Sequence, residues 1–149
     1  MAVADLKASQ LIEQWIASGV LSRSVAEAIF ASVPTDFTLR IRPRLPLFAH
    51  RSGAVAITLC GDVTALRPAW EGMPPTTQCA LLRHEAEHVR QQRAAPLLFY
   101  LRYGLAWVWG FMTVPGGRGT RGHRAYRSIP YEVDAYAAEA EAARRLAER

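Results

Sequence analysis

The chain has 149 residues, half of them hydrophobic, and carries 18 lysines and arginines against 13 acidic residues, a net charge of +5. That length fits one domain with a core of its own, and Cys60 and Cys79, in no C-x-x-C spacing, exclude a disulfide framework. The arginines are spread over the N-terminal half, the 81–93 stretch and a glycine-rich segment, with no finger, homeodomain or RNP-type pattern, so no nucleic-acid partner is expected. Asp5, Lys7 and Glu13 interrupt the N-terminus where a signal peptide needs an apolar run, which predicts a cytoplasmic protein.

Leu6, Leu11, Ile12, Trp15 and Ile16 recur at helical spacing and predict an amphipathic helix ended by Ser18-Gly19. Ser24 and Glu27, at capping-box spacing, predict a short second helix stopped by Pro34. Phe37, Leu39 and Ile41 then alternate with Thr38, Arg40 and Arg42, the period of a strand, until Pro43. From Ala54 to Cys60 the large residues Val55, Ile57 and Leu59 alternate with small ones, and Gly61-Asp62 offers a turn into a second strand over 63–66. The large face of this hairpin is expected against a helix, and the small face of Ala56, Thr58 and Cys60 either leaves room for an extended peptide or is simply an exposed sheet face.

After turn-rich residues 67–75, Thr76 or Thr77 can cap a helix that runs to about Arg93 and is closed by Pro96. Leu97 to Pro115 is the most apolar stretch; Arg102, Gly104 and Gly110 break it as a membrane span, so it reads as a buried core helix. Its aromatic residues, Phe99 to Phe111, are expected in that core rather than around a pocket. Pro115 to Gly122 reads as a flexible basic loop over a cleft, without the residue order of a phosphate-binding P-loop. Ile129-Pro130 opens the last helix, with proline as its first residue.

The helix ending at Arg93 contains His84-Glu85-Ala86-Glu87-His88, an H-E-x-x-H motif. Four residues of helix place both imidazoles on one face, about 5–6 Å apart at Cβ, where one metal ion reaches both. Glu85 projects beside the metal, where it can deprotonate a water without acting as a ligand. A random chain with 4 histidines and this glutamate content would carry the pattern with a frequency of about 0.6%. Leu81, Leu82 and Val89 supply apolar packing around it. A catalytic zinc site takes a third protein ligand. Residues 90–94 read RQQRA, so that ligand is not the next histidine of a metzincin motif, and Glu132, in the first turn after Pro130, is the candidate.

The strings L-L-x-H-E-x-x-H-V-x-Q at Leu81 to Gln91, A-I-T-L at 56–59 and A-Y-R-x-I-P-Y-E-V-x-A-Y at Ala125 to Tyr136 resemble the gluzincins. These are H-E-x-x-H zinc peptidases whose third ligand is a glutamate on a later helix. The likeness is to their minimal-domain forms and to metallopeptidase-like domains near bacterial contractile injection systems, and it covers roughly residues 54–143. It implies a strand beside two ligand-bearing helices, zinc on His84, His88 and Glu132, and a peptide substrate along the strand. Many gluzincins carry an aspartate four residues after the ligand glutamate to orient a histidine. Here that position is Tyr136, with Asp134 and Glu139 as alternatives. Tyr126 is the first choice as oxyanion donor, ahead of Tyr131 and Arg124. His50 and His123 read as ordinary loop histidines and Cys79 as a small buried residue.

The expected fold is α+β: a mostly helical single domain over residues 1–149, with a small sheet or hairpin packed beside the motif helix and the C-terminal helix. Residues 1–46 form a helical extension plus a first strand, and 54–143 the metallopeptidase core. The expected function is zinc-dependent hydrolysis of peptide or protein substrates. The alternative is a catalytically silent zinc-binding module, for example of a phage or secretion-system assembly.

Overall fold

A computed structural model describes residues 5–46, 54–113, 115 and 118–148, with side chains left undescribed for 118–121 and 123. Among the described residues the elements are β1 (Asp5–Lys7), α1 (Ala8–Ala17), α2 (Arg23–Phe30), β2 (Thr38–Arg42), β3 (Ala56–Leu59), β4 (Asp62–Leu66), α3 (Arg67–Gly72), α4 (Pro75–Ala94), α5 (Pro96–Thr113), α6 (Arg118–Arg127) and α7 (Pro130–Ala147). The fold is α+β and mostly helical, as the sequence predicts. The strands form one sheet in the order β1-β2-β4-β3; β2 and β4 pair in parallel and the outer pairs are antiparallel.

Phe37, Leu39, Val63 and Ala65 from the sheet share one apolar cluster with Cys79, Leu82, Ala86 and Val89 from α4. Removing a Leu82- or Val89-sized side chain from water contributes about 1.5–3 kcal/mol. The long α4 therefore lies across the sheet and, on its other side, against α7, where Ala135 and Ala142 are buried. This placement fixes the motif helix between the hairpin and the last helix.

Several local expectations shift. Leu6 belongs to β1 rather than to the first helix, and Gly19 takes the left-handed φ of 76° expected of the helix end. The cap of α2 is Ser22, whose hydroxyl accepts from the Val25 amide at 3.2 Å, in place of Ser24. Pro74 and Pro75, not a threonine, begin α4, since proline's fixed φ suits a first helical turn. The hairpin turns on Cys60-Gly61, with φ of 51° and 81°, one residue before the expected Gly61-Asp62. Helix α6 occupies most of the predicted basic loop. The faces of β3 are also reversed: Val55 and Leu59 are exposed, and Thr58 is buried towards α4. Thr58 faces α4 because its hydroxyl donates to Glu85 and its carbonyl accepts from Gln92.

The apolar stretch departs furthest from expectation. In α5 only Phe99 and Gly110 are buried, so it is a surface helix. Gly110 marks its closest approach to the next segment: a Cβ there would stand 3.2 Å from Ala125 Cα. No helix among the described residues is long and apolar enough to cross a membrane.

Asp62 ties the hairpin to β2. Its Oδ1 accepts from the Thr38 amide at 2.9 Å and its Oδ2 from the Arg40 guanidinium at 2.7 Å. Burial pushes this carboxyl up, but the Thr38 amide and Arg40 outweigh it and hold it below the usual carboxylate range. A depressed carboxyl stabilises the fold above its unfolded pKa, and that contribution disappears as pH falls through the folded value. Asp62→Asn is expected to destabilise by about 1 kcal/mol at pH 7, lowering the Tm by roughly 2–4 °C. Thermal melts should show the gap between wild type and variant closing below about pH 4.

Candidate metal centre

One turn of α4 separates His84 from His88, and their rings stand edge to face with centroids 4.9 Å apart. Pro130 starts α7 and places Glu132 in its first turn, where the side chain reaches the same point. All three residues are buried, Glu132 to 0% exposure. The two Nε2 atoms lie 3.2 Å apart; His88 Nε2 is 3.3 Å from Glu132 Oε1 and His84 Nε2 3.6 Å from Oε2. One ligand atom from each residue lies within 4.8 Å of the others.

The partners behind the rings determine which nitrogens face inward with lone pairs. His84 Nδ1 is 2.9 Å from the Glu139 carboxylate, which only accepts, so Nδ1 carries the proton. His88 Nδ1 is 2.9 Å from Gln91 Oε1. The amide of Gln91 is oriented by its own donation to the Tyr131 carbonyl at 3.2 Å, so its oxygen must face the ring and accept. Both Nδ1 atoms are thus donors, which leaves both Nε2 lone pairs free to coordinate a metal, the usual arrangement for metal-bound histidines whose other nitrogen is held by an acceptor.

A cation fits the space between them. Ligands about 2.0–2.1 Å from a tetrahedral ion stand about 3.3–3.4 Å apart, and the observed 3.2 and 3.6 Å bracket that spacing. Glu132 Oε1 accepts from the Tyr103 hydroxyl at 2.7 Å, whereas buried Oε2 has no hydrogen-bond partner. An unpartnered buried carboxylate oxygen is costly, and an ion would satisfy it. Imidazole and carboxylate donors suit zinc and other divalent metals alike.

Without an ion, protons take its place. Burial pushes the His84 imidazolium down, but the Glu132 and Glu139 carboxylates beside it outweigh this and raise the ring to about 10. His88 is also raised, against its burial, by Glu132 and Glu85. Burial pushes Glu132 up, yet His84 and His88 hold it below the usual carboxylate range. Metal uptake therefore releases protons, and weakens as pH falls.

Glu85, also buried, accepts at Oε2 from the Thr58 hydroxyl at 2.6 Å. The Thr58 carbonyl accepts from Gln92 Nε2 at 2.9 Å, and Gln92 Oε1 accepts from the Gly61 amide at 3.0 Å, so α4 grips both the strand and its turn. A cavity of about 330 Å³ opens over Glu85, His88 and Glu132, walled by β3 and by Phe99, Tyr100, Tyr103, Trp107 and Tyr126. The first four of these aromatics, expected in a core, instead line the site. Burial, then the Glu132 carboxylate, raise the Tyr126 phenol, which stays protonated.

Of the two carboxylates near the position that Tyr136 fills, Glu139 orients His84; Asp134 is exposed and does not. Glu139 lies two turns beyond Glu132, on the same face. The Tyr136 ring packs edge-on against His84, centroids 4.7 Å apart, with the Arg127 guanidinium over its other side at 4.3 Å. Arg124 bonds the Pro115 carbonyl outside the cavity, and Tyr131 packs on Phe99. Cys79 is buried. His50 and the His123 side chain lie outside the described residues. Thr58, Gln91 and Tyr103 were not singled out from the sequence; only their distance to the motif in the fold marks them.

The site thus defines a class: an α+β chain with a buried His-His-Glu group able to hold one metal ion. Set against protein-family models, curated proteins and solved structures, the chain matches none.

Elemental analysis of the purified chain should find one divalent ion, lost in His88→Ala and in Glu132→Ala. Gln91→Ala should keep the site but weaken it about 10–100-fold in chelator competition. Full metal retention by Glu132→Ala would remove Glu132 from the ligand set.

Proposed function

We propose that this chain is a zinc-dependent peptidase of the glutamate-ligated H-E-x-x-H kind, with Glu85 as general base. The observation that carries this reading is the Thr58–Glu85 hydrogen bond of 2.6 Å, which holds a non-ligand carboxylate beside the ligand group at the floor of an open cavity. A structural ion has no use for such a carboxylate. Among the described residues three side chains rather than four meet at this point, which leaves one position for water, as in catalytic zinc sites.

Zinc, when bound, supplies Lewis acidity to a carbonyl oxygen and brings the pKa of water towards about 7. The chain's own residues do the rest. With Oε2 held by Thr58, Glu85 presents its other oxygen to take the proton of the attacking water and pass it to the departing amine. The protonated Tyr126 phenol, at the cavity wall, donates to the oxygen on which negative charge develops. The Tyr103 hydroxyl is already committed to Glu132 and serves to orient it.

The substrate path follows from register. Leu66 donates to the Val55 carbonyl at 2.8 Å, which makes Val55–Leu66 a hydrogen-bonded pair and turns the backbone groups of Ala56 and Thr58 to the open edge of β3. Gln92 occupies the Thr58 carbonyl, so an extended peptide would pair at Ala56, beside Glu85.

Cleavage of a diverse peptide library, read by mass spectrometry, tests the reading. Glu85→Gln should keep its metal and lose about 10²–10⁴-fold in turnover. Tyr126→Phe should lower kcat by about 10²-fold with little change in KM. Equal cleavage by Glu85→Gln would exclude that base. A wild type that cleaves nothing, yet melts sharply earlier after chelation, would assign the ion to the fold instead.

A further inference from the structure

Helix α5 carries ten of the thirteen exposed large hydrophobic side chains among the described residues. Its inward stripe packs on the site through Phe99 and Tyr103 and against Ala125 of α6 through Gly110. Its outward stripe is also apolar: Leu97, Leu101, Leu105, Val108 and Met112 follow one another at three- and four-residue steps, with Trp109 beside them, and Leu97 is 89% and Trp109 67% exposed. A surface helix of a water-soluble domain is polar on its outer face, and here Arg102 is the only charge.

The charge distribution points the same way. Between Ala94 and Tyr131 the sequence has five arginines, at 102, 118, 121, 124 and 127, and no aspartate or glutamate. Taking those five from the 18 basic residues leaves 13 against 13 acidic ones, so the whole net charge of +5 belongs to α5 and the stretch after it. Arg102, Arg124 and Arg127 are exposed. A second copy seated on this face would bring like charges together, whereas an anionic surface is complementary to it.

We propose that α5, with the arginine-bearing stretch that follows, docks the protein in-plane on an anionic phospholipid bilayer. An apolar stripe with tryptophan, beside Arg102 and followed in sequence by four more arginines, is the composition of an interfacial helix, and at 18 residues α5 would lie about 27 Å along the surface. No helix among the described residues is long and apolar enough to span the bilayer, and the proposed attachment is in-plane. The inward face of the same helix walls the metal cavity, so docking sets the cavity mouth close to the lipid headgroups. This attachment stands whether or not the site hydrolyses peptides.

Flotation of the full chain with vesicles tests it. Adding phosphatidylglycerol to about a third of the lipid should raise binding at least ~10-fold over pure phosphatidylcholine, and added salt should reverse the gain. The triple variant Leu101→Glu, Leu105→Glu, Trp109→Glu changes only exposed positions outside the site; it should keep the wild-type Tm and metal content and lose flotation. Should that variant fail to fold, Arg102→Glu alone should lower anionic-vesicle binding several-fold. Wild type that stays unbound to both vesicles overturns the proposal. A concentration-dependent dimer in sedimentation, abolished by the triple variant and without flotation, would give this face to a second copy, and a folded triple variant that floats like wild type would move the contact elsewhere.

Discussion

Glu132 is fully buried, faces two imidazole nitrogens and keeps one carboxylate oxygen without a partner. A carboxylate removed from water is tolerated only with a cation beside it, and this constraint organises the surrounding structure. Two histidines must approach from one side, which a helix supplies by repeating every four residues. The glutamate must come from another element whose direction is fixed at its start, which Pro130 supplies for α7. The close packing of α4 on α7 around Ala135 and Ala142 then holds both contributions in register.

The surrounding hydrogen bonds serve that centre. Glu139 and Gln91 each hold one Nδ1, the Tyr131 carbonyl in turn orients Gln91, and Tyr103 restrains the ligand carboxylate. On the opposite wall, Thr58 holds Glu85 and Gln92 fastens the hairpin to α4. Glu85 and the edge of β3 are therefore tied to the helix that carries His84 and His88.

Helix α5 has two apolar faces with separate uses. The inner one closes the cavity with aromatic rings; the outer one meets the surroundings, next to all of the chain's excess positive charge. One surface element thereby has one apolar face on the cavity and the other exposed.

His84, Glu85, His88 and Glu132 were legible because helical spacing and a proline-fixed helix start are local: the geometry of a few consecutive residues dictates where their side chains go. The α+β class, the strand at 38–42 and the start of α7 were legible for the same reason. The orienting residues were not. A threonine on a strand, a glutamine three places after a ligand and a tyrosine on a neighbouring helix acquire meaning only when packing brings them within 3 Å of the site. The outward stripe of α5 escaped for a further reason. An unbroken apolar pattern states that a helix avoids water, but not what it avoids water against. The sequence by itself determined which residues make up the candidate site, His84, Glu85, His88 and Glu132; the tertiary structure decided their orientation, the faces of β3 and the exposure of α5, because each depends on which elements happen to lie opposite.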